Sequence, residues 1–253
     1  MLFGYGRAMH TSIWAESLAF LFPHTCPICE QGEVDTDRGV CPDCEATLHW
    51  FLPPWCDICG RPLDAGGETD LPCSDCLAEP PVFQSGRSIM AWDGAVKGAV
   101  ARLKYGRRFH LGSALAACFV HLLPEYLNPF QYDLILAVPL HPSRLRWRGF
   151  NQAQLLAGHI GRQFRVPLAP RLLRRVRDTP PQAGLDREER LANLTEAFQV
   201  AVPRKVHGQR ILLVDDVMTT GMTLSACAAA LLAAGADRVD TLTLARALPG
   251  RAP

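Results

Sequence analysis

The sequence predicts an α/β protein: a parallel sheet flanked by helices, with a small metal-binding module ahead of it. Three observations carry that expectation. Ile211-Leu212-Leu213-Val214 is an unbroken apolar run of strand length, as expected of a strand buried on both faces. Leu134-Ile135-Leu136-Ala137-Val138 is a second such run. Eight of the ten cysteines stand in four Cys-x-x-Cys pairs, the spacing of zinc knuckles.

Length and charge bound the rest. A chain of 253 residues can hold one sizeable α/β core and a smaller module. The net charge of +1 points to no class of partner, but its distribution is uneven. Residues 26–80 carry twelve acids against Arg38 and Arg61, a balance of −10. Residues 144–190 carry eleven arginines against four acids, a balance of +7.

The elements follow in order. In residues 1–23, Ile13, Leu18, Phe20, Leu21 and Phe22 fit one short helix packed on the body. A basic n-region and a small-residue cleavage site are lacking, and no stretch is long enough to span a bilayer. Thiolate ligands need reducing surroundings, so a cytoplasmic protein is expected. Residues 24–80 read as a double zinc ribbon. Gly32, Gly39, Gly66 and Gly67 suit hairpins between knuckles, and Pro53-Pro54 suits a linker between two ribbons. That places Cys26, Cys29, Cys41 and Cys44 on one zinc and Cys56, Cys59, Cys73 and Cys76 on another. Interleaved pairing and a disulfide framework are the alternatives. Cys118 and Cys227 lie in apolar helical runs and read as core.

Pro80-Pro81 marks the boundary of a second domain over 82–247, followed by a tail at 248–253. That domain opens with a strand at 88–92 and a helix with Val96, Val100 and Leu103 on one face. Basic residues close the helix at Lys104-Tyr105-Gly106-Arg107-Arg108, and a second helix covers 111–123. The strand at 134–138 leads into Pro139-Leu140-His141-Pro142-Ser143-Arg144, with a tight or cis Val138–Pro139 turn expected. A helix through Leu155, Leu156 and Ile160 follows. Residues 171–194, rich in arginine with Pro180, Pro181 and Gly184, read either as an active-site lid or as a linker with a basic helix. Val239–Ala245 supplies the last strand.

The chemistry concentrates after Val214. Thr219, Thr220 and Thr223 offer hydroxyls, Gly221 admits close approach, and the helix beginning there presents free N–H groups: a cradle for a monophosphate. Asp215 and Asp216 would repel a phosphate but suit the vicinal hydroxyls of a ribose. A ribose 5-phosphate fits the whole stretch. An ordinary strand-turn-helix explains it less well, and a Gly-x-x-x-x-Gly-Lys nucleoside-triphosphate loop is absent. A bare acidic Mg²⁺ site explains the aspartates but not the cradle.

Leu-Leu-Val-Asp-Asp-Val-x-Thr-Thr-Gly-x-Thr resembles the phosphoribosyl pyrophosphate (PRPP) signature of the type I phosphoribosyltransferases. Further matches are Leu-Lys-Tyr-x-Gly-Arg, Val-Pro-Leu-His-x-x-Arg, Arg-Gly-Phe-Asn-Gln, Thr-Pro-Pro-Gln-x-Gly-Leu and Arg-x-x-Asn-Leu. Behind a double zinc ribbon, that order resembles the ComF family from Cys26 to about Ala245. The resemblance implies a type I phosphoribosyltransferase fold, two structural Zn²⁺, Mg²⁺ accompanying PRPP, and a link to natural competence and DNA uptake or to nucleotide metabolism. It implies PRPP binding by Asp215, Asp216, Val217, Met218, Thr219, Thr220, Gly221, Met222 and Thr223, with Asp215 and Asp216 at the reacting sugar. It implies a pyrophosphate or substrate loop of Pro139, Leu140, His141, Arg144, Arg148, Asn151 and Gln152, joined by Lys104. Two function classes stand: a pentosyl-transfer enzyme, and a non-catalytic protein that senses nucleotides or binds single-stranded DNA through the basic 144–190 region. Other competence or DNA-processing proteins are the implied partners. Because the ribbon is acidic, it is expected to dock against or beside those basic loops, of its own or of a neighbouring phosphoribosyltransferase domain.

Overall fold

A computed structural model of the chain describes residues 25–34, 39–63, 71–105, 122–178 and 196–248, with residues 112, 115, 116 and 120. The expected N-terminal helix lies outside them, as do Cys118 and most of the proposed lid, including Arg187, Arg190 and Asn193.

In chain order the elements are α1 (Pro42–Thr47), α2 (Ser74–Ala78), β1 (Ser85–Ala91), α3 (Gly94–Tyr105), β2 (Leu134–Ala137), α4 (Pro142–Arg148) and α5 (Gln152–Phe164). They continue with β3 (Leu173–Arg175), β4 (Phe198–Val200), β5 (Arg210–Met218), α6 (Met222–Ala233) and β6 (Arg238–Arg246). Residues 112, 115, 116, 120 and 122 are helical, within the second helix that the sequence predicts.

Four strands form one parallel sheet in the order β1-β6-β5-β2. β3 and β4 pair separately and antiparallel. Side chains alternate across a strand, so β5 feeds two cores. Leu212 and Val214 join the layer of α3 and α5, with Val96, Val100, Leu103, Leu156 and Ile160. Ile211 and Leu213 join the layer of α6 and the β3–β4 pair, with Leu224, Cys227, Leu231, Leu173 and Phe198. Cys227 is core, as its apolar context predicts.

The ribbon docks on the sheet's β1 edge. Phe51 N–H donates to the Ile89 carbonyl at 2.9 Å, Ala91 N–H to His49 at 2.9 Å, and Gly86 N–H to Ile58 at 2.7 Å. These bonds occupy backbone groups that an edge strand otherwise leaves open to association. This corrects the expected docking beside the basic loops of the same domain as far as the described residues go, because the basic helix α4 follows β2, at the other edge of the sheet. The cations that meet the acidic ribbon come instead from β1, α3 and β6. Arg87 donates to the Asp57 carbonyl at 3.0 Å, Arg102 pairs with Glu30 at 2.6 Å and also donates to Ile28, and Arg246 donates to Cys59.

Candidate functional site

Both cysteine groups form as the sequential pairing predicts. Within each, the four sulfurs all lie within 4.8 Å of one another. Cys29 and Cys41 Sγ are 3.7 Å apart, and Cys59 and Cys73 Sγ 3.8 Å. Tetrahedral Zn–S bonds of about 2.3 Å require sulfurs about 3.8 Å apart, so the donor sets fit zinc. N–H donors point at the sulfurs. The Gly32 N–H, with that of Gln31, outweighs burial and brings the Cys29 thiol down to about 6. At Cys56 burial opposes ionisation, but the N–H groups of Cys59, Cys73 and Ile58 bring it to about 7. Gly32 is required here, since a Cβ would lie 2.8 Å from Cys41 Sγ.

The second cluster gathers at the C-terminal end of β5. The strand runs on through Asp215, Asp216 and Val217 to Met218, because β6 pairs with it as far as Arg246. The two carboxylates therefore leave the strand from opposite faces. Asp216 turns to the α3 layer, where Lys104 Nζ lies 2.7 Å from its Oδ2. Asp215 turns to the α6 layer, and its Oδ1 accepts the Asp216 N–H at 2.8 Å. Burial and the neighbouring Asp216 charge hold Asp215 well above the usual carboxylate range. Thr219 and Thr220 follow, exposed, and then Gly221 with φ +76 at the start of α6. Thr220 Oγ1 accepts the Met222 N–H at 3.4 Å, and Thr223 sits in the first turn of α6. A Cβ on Gly221 would lie 2.7 Å from Met218 Cε.

Comparison with known proteins follows that geometry. Residues 17–77 match the double zinc ribbon domain, and residues 152–253 the phosphoribosyl transferase domain. The DNA utilization protein YhgH of Salmonella typhi is 34% identical over 89% of this chain and 98% of its own. The chain belongs to the ComF/YhgH family. Competence protein F of Haemophilus influenzae is 30% identical over the same shares, and competence protein ComFC of Bacillus subtilis is 29% identical over 83% of this chain and 85% of its own. The fold is that of a phosphoribosyltransferase-like domain carrying an N-terminal double zinc ribbon.

In this ComF-family chain the segment after β2 is braced by its own polar residues. Val138–Pro139 is trans; among the described residues the cis bond is Pro53–Pro54. The turn is held by hydrogen bonds instead: Val138 N–H donates to Val214 at 2.9 Å, and Asn151 Nδ2 donates to the Val138 carbonyl at 2.9 Å. Asn151 Oδ1 also caps α5 by accepting the Ala153 N–H. Arg148 donates to Gln152 Oε1 at 2.9 Å, and Gln152 is buried. Arg148, Asn151 and Gln152 thus frame the loop, while Pro139 and Leu140 lie half-buried in it. His141 caps α4, and its Nδ1 lies 2.7 Å from Ser143 Oγ. Ser143, His141 and Arg144 converge on Asp178, at 3.1, 3.6 and 3.5 Å.

Two residues outside the sequence-derived site prove to be near it. Arg175 lies over the Phe198 ring, where burial and then the Arg144 charge hold its pKa down. One arginine among several in 171–177 carried no distinguishing signal. Arg246 is 9% exposed and joins the ribbon to Met218, its Nη1 lying 3.6 Å from Met218 Sδ. Its signal was available: an arginine directly after the apolar Leu244-Ala245 at the end of the last strand.

Proposed function

We propose that this protein binds PRPP at the C-terminal end of β5 and works in DNA uptake or use. The carrying observation is the convergence there of Asp215 and Asp216 with the Thr219–Gly221 turn and the start of a twelve-residue helix. Ligands of open α/β sheets bind at that end, and a helix N-terminus favours phosphate. In this reading Thr219, Thr220, Gly221 and the first residues of α6, Met222 and Thr223, hold the 5′-phosphate. Asp216, with Lys104 beside it, accepts from the ribose hydroxyls on one face of the strand end, and Asp215 flanks the sugar from the other while bracing the Asp216 N–H. Val217 and Met218 pack the strand end. The loop Pro139–Arg144 receives the diphosphate, framed by Arg148, Asn151 and Gln152. Mg²⁺, when bound, supplies charge neutralisation on the diphosphate.

The relatives' names, competence protein F and DNA utilization protein, support the DNA connection and DNA-processing proteins as partners. Among the described residues no helix is long and apolar enough to cross a membrane. The thiolate ligands favour the cytoplasm. The metal module is assigned to residues 24–80 and the ligand-binding unit to 82–247, with 1–23 and 248–253 flanking them.

A second reading, contact with single-stranded DNA, is favoured by α4. Arg144, Arg146 and Trp147 are all exposed there, Trp147 by 60%, which suits charge plus base stacking. Phe150 does not join them, because it packs against the core.

Calorimetric titration with PRPP and Mg²⁺ tests the first reading. Asp216→Asn should lose charge-assisted hydrogen bonds worth about 1.5–3 kcal/mol, at least about tenfold in affinity. Unchanged affinity would remove Asp216 from the site. Turnover of PRPP with candidate acceptors separates the enzyme from the binding protein.

A further inference from the structure

We propose that a cavity at the N-terminal end of the sheet, between β1, β6 and the Tyr126–Tyr132 segment, binds a small α-amino acid as its zwitterion. Asp240, on the cavity wall, stands six residues before Arg246 on β6, about 20 Å away along the strand. The cavity is thus remote from the turn proposed to hold PRPP.

The alternation of side chains along the strands builds the wall. Ser85 and Asp240 stand opposite each other on β1 and β6, and Arg87 is the next residue of β1 on the same face. Tyr126 and Tyr132, from the chain that leads into β2, close the cavity over that face. The zinc ribbon steadies the edge, because the Asp57 carbonyl accepts from Ser85 Oγ at 3.2 Å and from Arg87 Nη1 at 3.0 Å. The cavity holds about 200 Å³, below the range of about 300–1,000 Å³ for drug-sized ligands, so its occupant must be smaller.

Two wall groups specify that occupant. The Asp240 side chain is 3% exposed, and its Oδ2 accepts from Tyr132 Oη at 3.0 Å and from Arg238 Nε at 2.8 Å. Its Oδ1 is buried and has no donor among the described residues. Burial, and then the Asp240 charge, hold the Tyr132 phenol above its ordinary range, so it stays a donor. A buried carboxylate oxygen without a donor is unfavourable, and an ammonium N–H supplies one. Arg87 spends Nη1 on carbonyl and hydroxyl oxygens and pairs with no carboxylate among the described residues. Arg238 is neutralised by Asp240, so Arg87 leaves the wall one uncompensated positive charge. A simple anion is repelled by Asp240 Oδ1, and a simple cation by Arg87. An ammonium beside a carboxylate satisfies both, and α-amino acids carry that pair within the available volume.

The test is calorimetric titration of the full zinc-loaded chain with each standard amino acid, and with acetate and methylamine as half-ligands. At least one amino acid should bind with a Kd of about 1 mM or tighter. Each half-ligand lacks one charge-assisted contact and should bind at least about tenfold more weakly. Asp240→Asn removes the charge and one acceptor oxygen, and should weaken the amino acid at least about tenfold. Zinc content and melting verify that this variant folds. If it does not, Gln131→Glu decides, because a carboxylate added to the wall competes for Arg87 and should weaken binding likewise. No amino acid binding at that affinity, a half-ligand binding as tightly, or binding that survives the deciding variant overturns the proposal.

Discussion

Gly221→Ala isolates the turn on which the ribose-phosphate reading depends. Gly221 has φ +76, a left-handed conformation that costs a residue with a Cβ about 1–2 kcal/mol. The added Cβ would also lie 2.7 Å from Met218 Cε. That atom is the free end of a flexible side chain, so its displacement should add little. In a protein of this size about 1 kcal/mol corresponds to about 2–4 °C, so the melting temperature should fall by about 2–8 °C. Scanning calorimetry of the wild type, Gly221→Ala, Met218→Ala and the double variant completes the test. Coupling between the two sites should stay below about 0.5 kcal/mol if the methionine tip moves freely. An unchanged melting temperature in Gly221→Ala would refute the claim that the turn requires positive φ. Valine at this position adds a branched Cβ to the same strain, so it should cost folding as well as ligand affinity.

Purified with reductant, the protein should contain two zinc ions per chain by elemental analysis; a folded, metal-free chain with disulfides would contradict this. Asp215→Asn should stabilise the protein at neutral pH. A carboxyl with a raised folded-state pKa subtracts stability as pH rises above its ordinary value of 3.8, so the variant's advantage in melting temperature should vanish in acid below that value. An advantage that grew on acidification would show that Asp215 is held charged. Deleting residues 1–80 should give a self-associating, poorly soluble domain, because it opens the backbone of β1 and strips the partners of Arg87, Arg102 and Arg246. A soluble, monomeric truncation by light scattering would argue otherwise.

What the sequence made legible was local. Ile211–Val214 and Leu134–Val138 read as buried strands because no polar residue interrupts them. The zinc pairing was readable because glycines lie between the paired knuckles and two prolines between the ribbons. What it hid depends on partners far away in the chain. Nothing in Lys104 or Asp216 alone announces that α3 delivers one to the other. The Asp215-Asp216 pair reads as one acidic patch, but pairing of β6 out to Arg246 keeps both in the strand and sends them to opposite faces. The Arg-Gly-Phe-Asn-Gln stretch suggests ligand contacts, whereas Asn151 uses both ends of its amide to brace Val138 and cap α5. Overall charge misdirected the docking of the ribbon, since the nearest basic run in sequence terms lies at the other edge of the sheet.

That last discrepancy bears on how the molecule works. A net-acidic module could have been steered anywhere positive by long-range charge, but exposed charges are screened within about 8–10 Å at physiological salt. Backbone hydrogen bonding at an open strand edge is short-ranged and directional, and it fixes a register. The ribbon's His49–Phe51 segment and Ile58 engage β1 in this way, after which Arg87, Arg102 and Arg246 each find a ribbon carbonyl or carboxylate. Arg246 is the consequential contact, since the same guanidinium touches Met218, the residue that leads into the Thr219–Gly221 turn. A ribbon that loses its second metal should therefore loosen Cys59 as an anchor, and the disturbance should reach the Thr219–Gly221 turn through one side chain. The zinc sites thus bear on the candidate ligand site by position.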